Sequence, residues 1–139
     1  MRVLAVDPGN QTGWAVGELD IDVFDVRVSG VMTSWSKLKE VIEENEPLLV
    51  LFETFRIFPS KARGLVGDEL EAVQTIGVLK YLCLEKKLTL LGRQPSLKSV
   101  PIIPRDAWVK ELIRSRKTEH ERDSIMHLYS YWRTSVAHR

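Results

Sequence analysis

The sequence predicts a mixed α/β fold, a five-stranded sheet flanked by helices, on three observations. Near the start, the apolar run Val3-Leu4-Ala5-Val6 ends in a carboxylate, Asp7, and is followed by the turn Pro8-Gly9-Asn10 and a second apolar run, Gly13-Trp14-Ala15-Val16. That pattern is a strand, a tight turn and a returning strand. Further on, Leu48-Leu49-Val50-Leu51-Phe52 is the most apolar run in the chain and shows no alternation, as expected of a central, parallel-paired strand buried on both faces. Segments of helical period alternate with strands from there to the end, which gives a sheet with helices packed on it.

Each element has a local reason. Residues 2–7 and 13–19 form the first two strands, and Asp20 and Asp22 mark the turn into a third, over residues 23–31, with Val26, Val28 and Val31 as β-branched positions. Short turns between the three make an antiparallel meander. Ser34 or Ser36 can cap a short amphipathic helix over residues 37–45, with Leu38, Val41 and Ile42 on one face, and Glu46-Pro47 ends it. The buried strand follows, closed by Glu53. Residues 54–67 have no period and contain Pro59, Gly64 and Gly67, which reads as a long functional loop. Asp68-x-x-Glu71 resembles a capping box for a long helix reaching about Lys86. Its apolar residues Leu70, Val73, Ile76, Val78, Leu79 and Leu82 cover more than one face, so it has surface for the sheet and for a partner, and Gly77 permits close helix approach. Residues 89–92 are a last short strand. Gln94-Pro95-Ser96 turns into a small helix carrying Lys98, and Pro104 opens another, with Trp108 and Leu112 as core. The last helix covers residues 119–133, with Ile125, Leu128, Tyr129 and Trp132 as its buried stripe.

At 139 residues and 44% apolar content the chain fits one domain with a core and is too apolar for disorder. No run approaches the roughly 20 apolar residues of a membrane helix, and the opening MRVLAVDPG is not a signal peptide. With a single cysteine, Cys83, the expected compartment is a reducing cytoplasm. Net charge is only +1, but residues 1–79 hold 7 Lys/Arg against 13 Asp/Glu, and residues 80–139 hold 13 against 6. An acidic half and a basic half fit a metal-dependent enzyme acting on a polyanion, and equally an ordinary solvated surface.

The chemistry-bearing residues are few. Asp7 closes the first strand and Glu53 the fourth; if those strands are parallel neighbours, the two ends lie about 5 Å apart on one edge of the sheet, where α/β folds place ligands. His120 and Asp123, three apart at the start of the last helix, share a face. Each residue alone has a plainer reading: Asp7 as a turn residue, Glu53 as the first exposed residue after a buried strand, Asp123 as a partner of the helix dipole, His120 as surface. Glu69 and Glu71 read as helix-start residues. Together, Asp7, Glu53, His120 and Asp123 make an oxygen-rich set with one imidazole, suited to Mg²⁺ or Mn²⁺. Two such ions hold an in-line attack on a phosphodiester. His120 is a ligand in that set or, because imidazole binds Mg²⁺ poorly, a group that moves protons or orients water.

The segments VLAVDPGNQTGWAV, LVLFETFRI, DELEAVQTIGVLKYL, RQPSLK and HERDSIMHLYSYW, in this order, resemble the RuvC-type Holliday junction resolvases of the ribonuclease H-like superfamily, in particular their shorter bacteriophage-encoded branch. The resemblance implies a ribonuclease H-like fold and a homodimeric endodeoxyribonuclease that cuts four-way DNA junctions symmetrically with two divalent ions per site. It places Asp7, Glu53 and Asp123 as the acids, and His120 at a position that is Asp or His in the family. It implies dimer contacts on the helix from Asp68, through Leu70, Val73, Ile76 and Gly77, and an aromatic wedge after the second acid, for which Phe55 and Phe58 both qualify. Arg56, Lys61, Arg63, Lys98, Arg114, Arg116 and Lys117 are the candidate phosphate contacts. No membrane and no nucleotide cofactor is expected. The competing readings are a junction-binding protein without activity, a ribonuclease H-like nuclease acting on RNA–DNA hybrids, and a fragment of a sugar-kinase or actin-like ATPase, to which Asp7-x-Gly9-x-x-x-Gly13 also suits a phosphate turn.

Overall fold

The computed structural model describes residues 1–54 and 68–137, with the backbone alone for 68–70. Five strands form one sheet: β1 (Arg2–Asp7), β2 (Thr12–Asp20), β3 (Val23–Met32), β4 (Leu49–Glu53) and β5 (Thr89–Arg93). Their order across the sheet is β3-β2-β1-β4-β5. The first three are an antiparallel meander, and β1–β4 and β4–β5 are parallel pairs, which is the mixed sheet the sequence predicts. The main helices are α1 (Lys37–Asn45), α2 (Asp68–Glu85), α3 (Ala107–Arg114) and α4 (Glu119–Tyr131), the last continuing into a π-helical turn, Trp132–Val136. Short 3₁₀ turns occupy Pro95–Ser99 and Pro104–Asp106.

Successive strand residues point to opposite faces, and here both faces are covered. Val3 and Ala5 of β1 and Leu49 and Leu51 of β4 pack with Val109 of α3 and with Ile125, Leu128, Tyr129 and Trp132 of α4. Leu4, Val6, Val50 and Phe52 pack on the other side with Leu38, Val41 and Ile42 of α1 and Leu79 and Leu82 of α2. This is why the fourth strand reads as an unbroken apolar run.

Helix α4 is fixed at both ends. Thr118 accepts a hydrogen bond on its side-chain oxygen from the Glu121 N–H (3.3 Å), an N-cap worth about 1 kcal/mol. At the far end the Tyr129 hydroxyl donates to Asp106 Oδ2 (2.9 Å) and Trp132 Nε1–H donates to the carbonyl of Asp20 (2.6 Å). Phe24 stands edge-on to Tyr129 with ring centroids 5.6 Å apart.

Several details depart from expectation. Leu48 is 66% exposed, because β4 begins one residue later. Trp108 is 48% exposed, and Val109 holds the buried position on α3. Ser36 occupies the N-cap of α1 without a side-chain cap hydrogen bond; Ser34 instead accepts from the Ser36 N–H (3.3 Å). The Asp68 side chain of the expected capping pair, and Phe55, Arg56, Phe58, Lys61, Arg63 and the Leu70 side chain, lie outside the described residues. Among the described residues no helix is long and apolar enough to cross a membrane.

Gly13 lies where α4 crosses β2. A Cβ there would overlap the backbone carbonyl of His120 and crowd the Glu121 nitrogen. Space, not backbone conformation, demands glycine at this position. Gly13→Ala is therefore expected to cost about 1–3 kcal/mol through overpacking and to lower the urea midpoint. An unchanged midpoint would mean that α4 moves away from the strand without penalty.

Candidate metal centre

The sheet places two acids side by side. Val6 of β1 is in register with Phe52 of β4, so Asp7 and Glu53, the next residues, stand next to each other at the carboxyl ends of parallel neighbours. Both share parity with the residues that face α4, and so both project toward that helix. Helix α4 crosses the same ends and brings His120, Asp123, His127 and Ser130 in a row at intervals of three, four and three residues, which keeps them on one side of the helix.

The contacts follow that row. His120 Nδ1 is 2.8 Å from Asp7 Oδ2. Lys98, from the 3₁₀ turn after β5, reaches Asp123 Oδ2 at 2.9 Å and Glu53 Oε2 at 3.4 Å. His127 Nε2 is 2.8 Å from the same Glu53 oxygen. At the far end Arg93, buried at the end of β5, donates to Ser130 Oγ (3.0 Å). Asp7, Glu53 and Asp123 offer carboxylate oxygens that all lie within 4.8 Å of one another.

The electrostatics reflect this crowding. Burial, and then the charge of Glu53, push the Asp7 carboxyl up from its usual 3.8 to about 6, against the hydrogen bond from His120. For Glu53, burial acts upward, but the hydrogen bond from His127 and the charge of Lys98 outweigh it and the net direction is down. For Lys98, burial acts downward and is overcome by its bond to Asp123 and the charges of Glu53, Asp123 and Asp7, so the ammonium is held above its usual range. Three close carboxylates beside a single half-buried ammonium form a site for positive charge. An all-oxygen donor set of this kind fits a hard divalent ion.

The candidate residues thus fare differently. Asp7, Glu53 and Asp123 converge, with His120 hydrogen-bonded to Asp7 rather than among the three. Lys98, expected as a phosphate contact, sits between two of the acids. Arg114 lies on the surface beside Glu111, Arg116 stands 3.8 Å from Glu121, and Lys117 is exposed. On α2, Val73 is exposed, Ile76 is half-buried and Gly77 has open space where a Cβ would stand. Gly9 and Gly13, the two glycines that also suit a phosphate turn, here leave room for the His120 ring and the first turn of α4. His127 was not expected at the site. Its position four residues after Asp123 puts it on the same side of the helix, but that spacing alone does not separate it from a core position beside Ile125 and Leu128.

The chain has the fold of the RuvC resolvases. It superposes on a Thermus thermophilus RuvC structure with a TM-score of 0.70 at 14% identity, covering 98% of each chain. It matches T. thermophilus RuvC in complex with a Holliday junction substrate with a TM-score of 0.69 at 15% identity, covering 97% of each chain. A Fowlpox virus resolvase in complex with a substrate Holliday junction gives 0.66 at 12% identity, over 95% of this chain and 99% of that one. No protein-family model and no curated protein sequence matches the chain.

The raised Asp7 carboxyl makes stability depend on pH. The unfolded chain releases this proton near 3.8 and the folded chain near 6. Between those values the folded form binds more proton, so stability falls as pH rises. Without divalent ions the protein is expected to lose on the order of 2 kcal/mol from this group between pH 4 and pH 6. In Asp7→Asn that decline should be absent. Urea titrations in EDTA across this range measure it, and parallel profiles for the two proteins would exclude Asp7 as the group responsible.

Proposed function

We propose that the chain is a structure-selective endodeoxyribonuclease that resolves four-way DNA junctions by hydrolysing phosphodiester bonds with two Mg²⁺ or Mn²⁺ ions per site. The observation that carries this reading is the convergence of Asp7, Glu53 and Asp123 at one end of a sheet whose fold is that of junction resolvases. Solved neighbours hold Holliday junction DNA, which favours branched DNA over an RNA–DNA hybrid as substrate.

In this reading Asp7, the most buried of the three, would hold the ions together with Glu53 and Asp123. When bound, the ions lower the pKa of a water molecule and offset charge on the leaving oxygen. Water attacks the phosphorus, the P–O3′ bond breaks, and the products carry a 5′ phosphate and a 3′ hydroxyl. His120 directs its Nδ1 hydrogen to Asp7, so its Nε2 lone pair is left to accept the proton of the attacking water or to join the ligand set. Lys98 is close enough to the acids to meet a phosphate brought beside them. The basic residues Arg114, at the end of α3, and Arg116 and Lys117, between α3 and α4, with Arg56, Lys61 and Arg63, supply backbone contacts, and Phe55 or Phe58 is the wedge. The compartment that fits is the cytoplasm of a bacterial cell, the host cell if the chain is phage-encoded.

Cleavage of a synthetic mobile junction with Mg²⁺ or Mn²⁺, mapped on all four strands, tests the activity. Asp7→Asn, Glu53→Gln and Asp123→Asn are each expected to reduce the rate by about 10³-fold or more, about 4 kcal/mol, while a gel shift in EDTA shows junction binding intact. Full activity in any one removes that residue from the site, and a shifted but uncut junction with the unaltered protein favours a binding module. His120→Ala should slow cleavage and change the preference between the two metals.

A symmetric cut on two strands requires two sites, and the proposed assembly is a homodimer through α2. Val73, Tyr81 and Leu84 are exposed along that helix, and Trp35 stands exposed beside it across a groove also lined by Gly77 and Val78. Light scattering at micromolar concentration is expected to give twice the chain mass, and Tyr81→Glu with Leu84→Glu to give the monomer. A monomer in the unaltered protein would refute the assembly.

A further inference from the structure

The geometry points to His127 as a positioning residue for Glu53, one that fixes which oxygen of that carboxylate is presented to the cation site. The inference rests on the metal-site reading above and deepens it.

His127 lies on α4 with 1% of its surface exposed. Its Nε2 is 2.8 Å from Glu53 Oε2. A carboxylate only accepts, so Nε2 carries the hydrogen and Nδ1 is a bare lone pair. That Nδ1 is buried with no hydrogen-bond partner among the described residues. An orphaned polar atom in a core is unfavourable, and a leucine there would extend the apolar stripe of α4 without it. The histidine is therefore a poor choice for packing, and its use lies in the one bond it makes.

That bond falls on the oxygen that also receives Lys98, at 3.4 Å. Among the described residues both contacts go to Oε2 and none to Oε1. Glu53 has three rotatable side-chain bonds and stands at a strand end, where little else restrains it. Pinned through Oε2 by a ring that is itself locked in the core, the carboxylate keeps Oε1 without a hydrogen-bond partner among the described residues, the oxygen available to a cation. Outer partners of this kind orient ligands and raise their affinity for metal. The row along α4 then has a division of labour: His120 on Asp7, Asp123 as a ligand, His127 on Glu53.

The test compares His127→Leu, His127→Gln and Glu53→Gln in the full chain. Isothermal titration calorimetry measures Mn²⁺ affinity without DNA, gel shift in EDTA measures junction affinity, and circular dichroism confirms folding. His127→Leu is expected to weaken Mn²⁺ binding about 10- to 100-fold and leave junction affinity unchanged. His127→Gln, which places an amide N–H near the original Nε2, should recover most of the loss. If His127→Leu does not fold, His127→Phe fills the same space without a donor and replaces it. Wild-type Mn²⁺ affinity in the Leu or Phe variant, with a clear loss in Glu53→Gln, would overturn the role of His127 and leave the metal site standing. Wild-type affinity in Glu53→Gln as well would overturn the metal site and this inference together.

Discussion

The first turn of α4 rests directly on the backbone of β2, and this contact depends on the absence of a side chain at Gly13. Everything at the candidate site is referenced to that approach. It seats His120 beside Asp7, and an α-helix rises only about 1.5 Å per residue, so the positions of Asp123, His127 and Ser130 follow with little freedom. The far end of the helix is held by the aromatic group of Phe24, Tyr129 and Trp132 and by their hydrogen bonds to Asp106 and Asp20. A rod fixed at both ends over a sheet can hold several side chains to the tolerance that metal ligands need, which loops rarely do.

The second constraint is charge. Asp7 and Glu53 come from the acidic first half of the chain, and the groups that face them, Lys98, His120 and His127, come from the basic second half. The third acid, Asp123, also comes from the second half, where it lies beside Lys98. Burial, and then the charge of Glu53, keep the Asp7 carboxyl raised to about 6 despite its bond to His120. A fully neutralised cluster would have little electrostatic reason to take up a divalent ion. A cluster without Lys98 and the histidines would carry a larger cost of close like charges in the folded chain. The arrangement lies between these limits.

Much of this was legible in the sequence. The sheet was readable because a short apolar run without alternation, bounded by turn residues, is the mark of a strand covered on both faces, and a carboxylate at the end of such a run stands at the rim of the sheet. The parity of Asp7 with Val3 and Ala5, and of Glu53 with Leu49 and Leu51, was also there to read. Other features were not accessible from local pattern. Trp108 and Leu48 look like core by residue type, yet burial is decided by which element lies above them. Lys98 looks like any surface lysine until the turn after β5 brings it between two acids. His127 lies between buried residues and reads as one more core position, because the orphaned Nδ1 and the bond to Glu53 exist only once α4 and β4 are packed together.

The same division accounts for a fold shared with resolvases at such low identity. What the site asks of a sequence is narrow: an acid of correct parity at the ends of two parallel neighbours, a small residue where the helix touches the sheet, and polar groups at intervals of three and four along that helix. The remaining core has to be apolar and of suitable volume, a requirement many sequences meet. Substitution across the core therefore erodes sequence similarity quickly while leaving the fold in place. His127 illustrates the intermediate case. It is a core position by burial and a rim position by chemistry, so it answers to both demands, and an apolar replacement would satisfy the first while releasing Glu53 from the second.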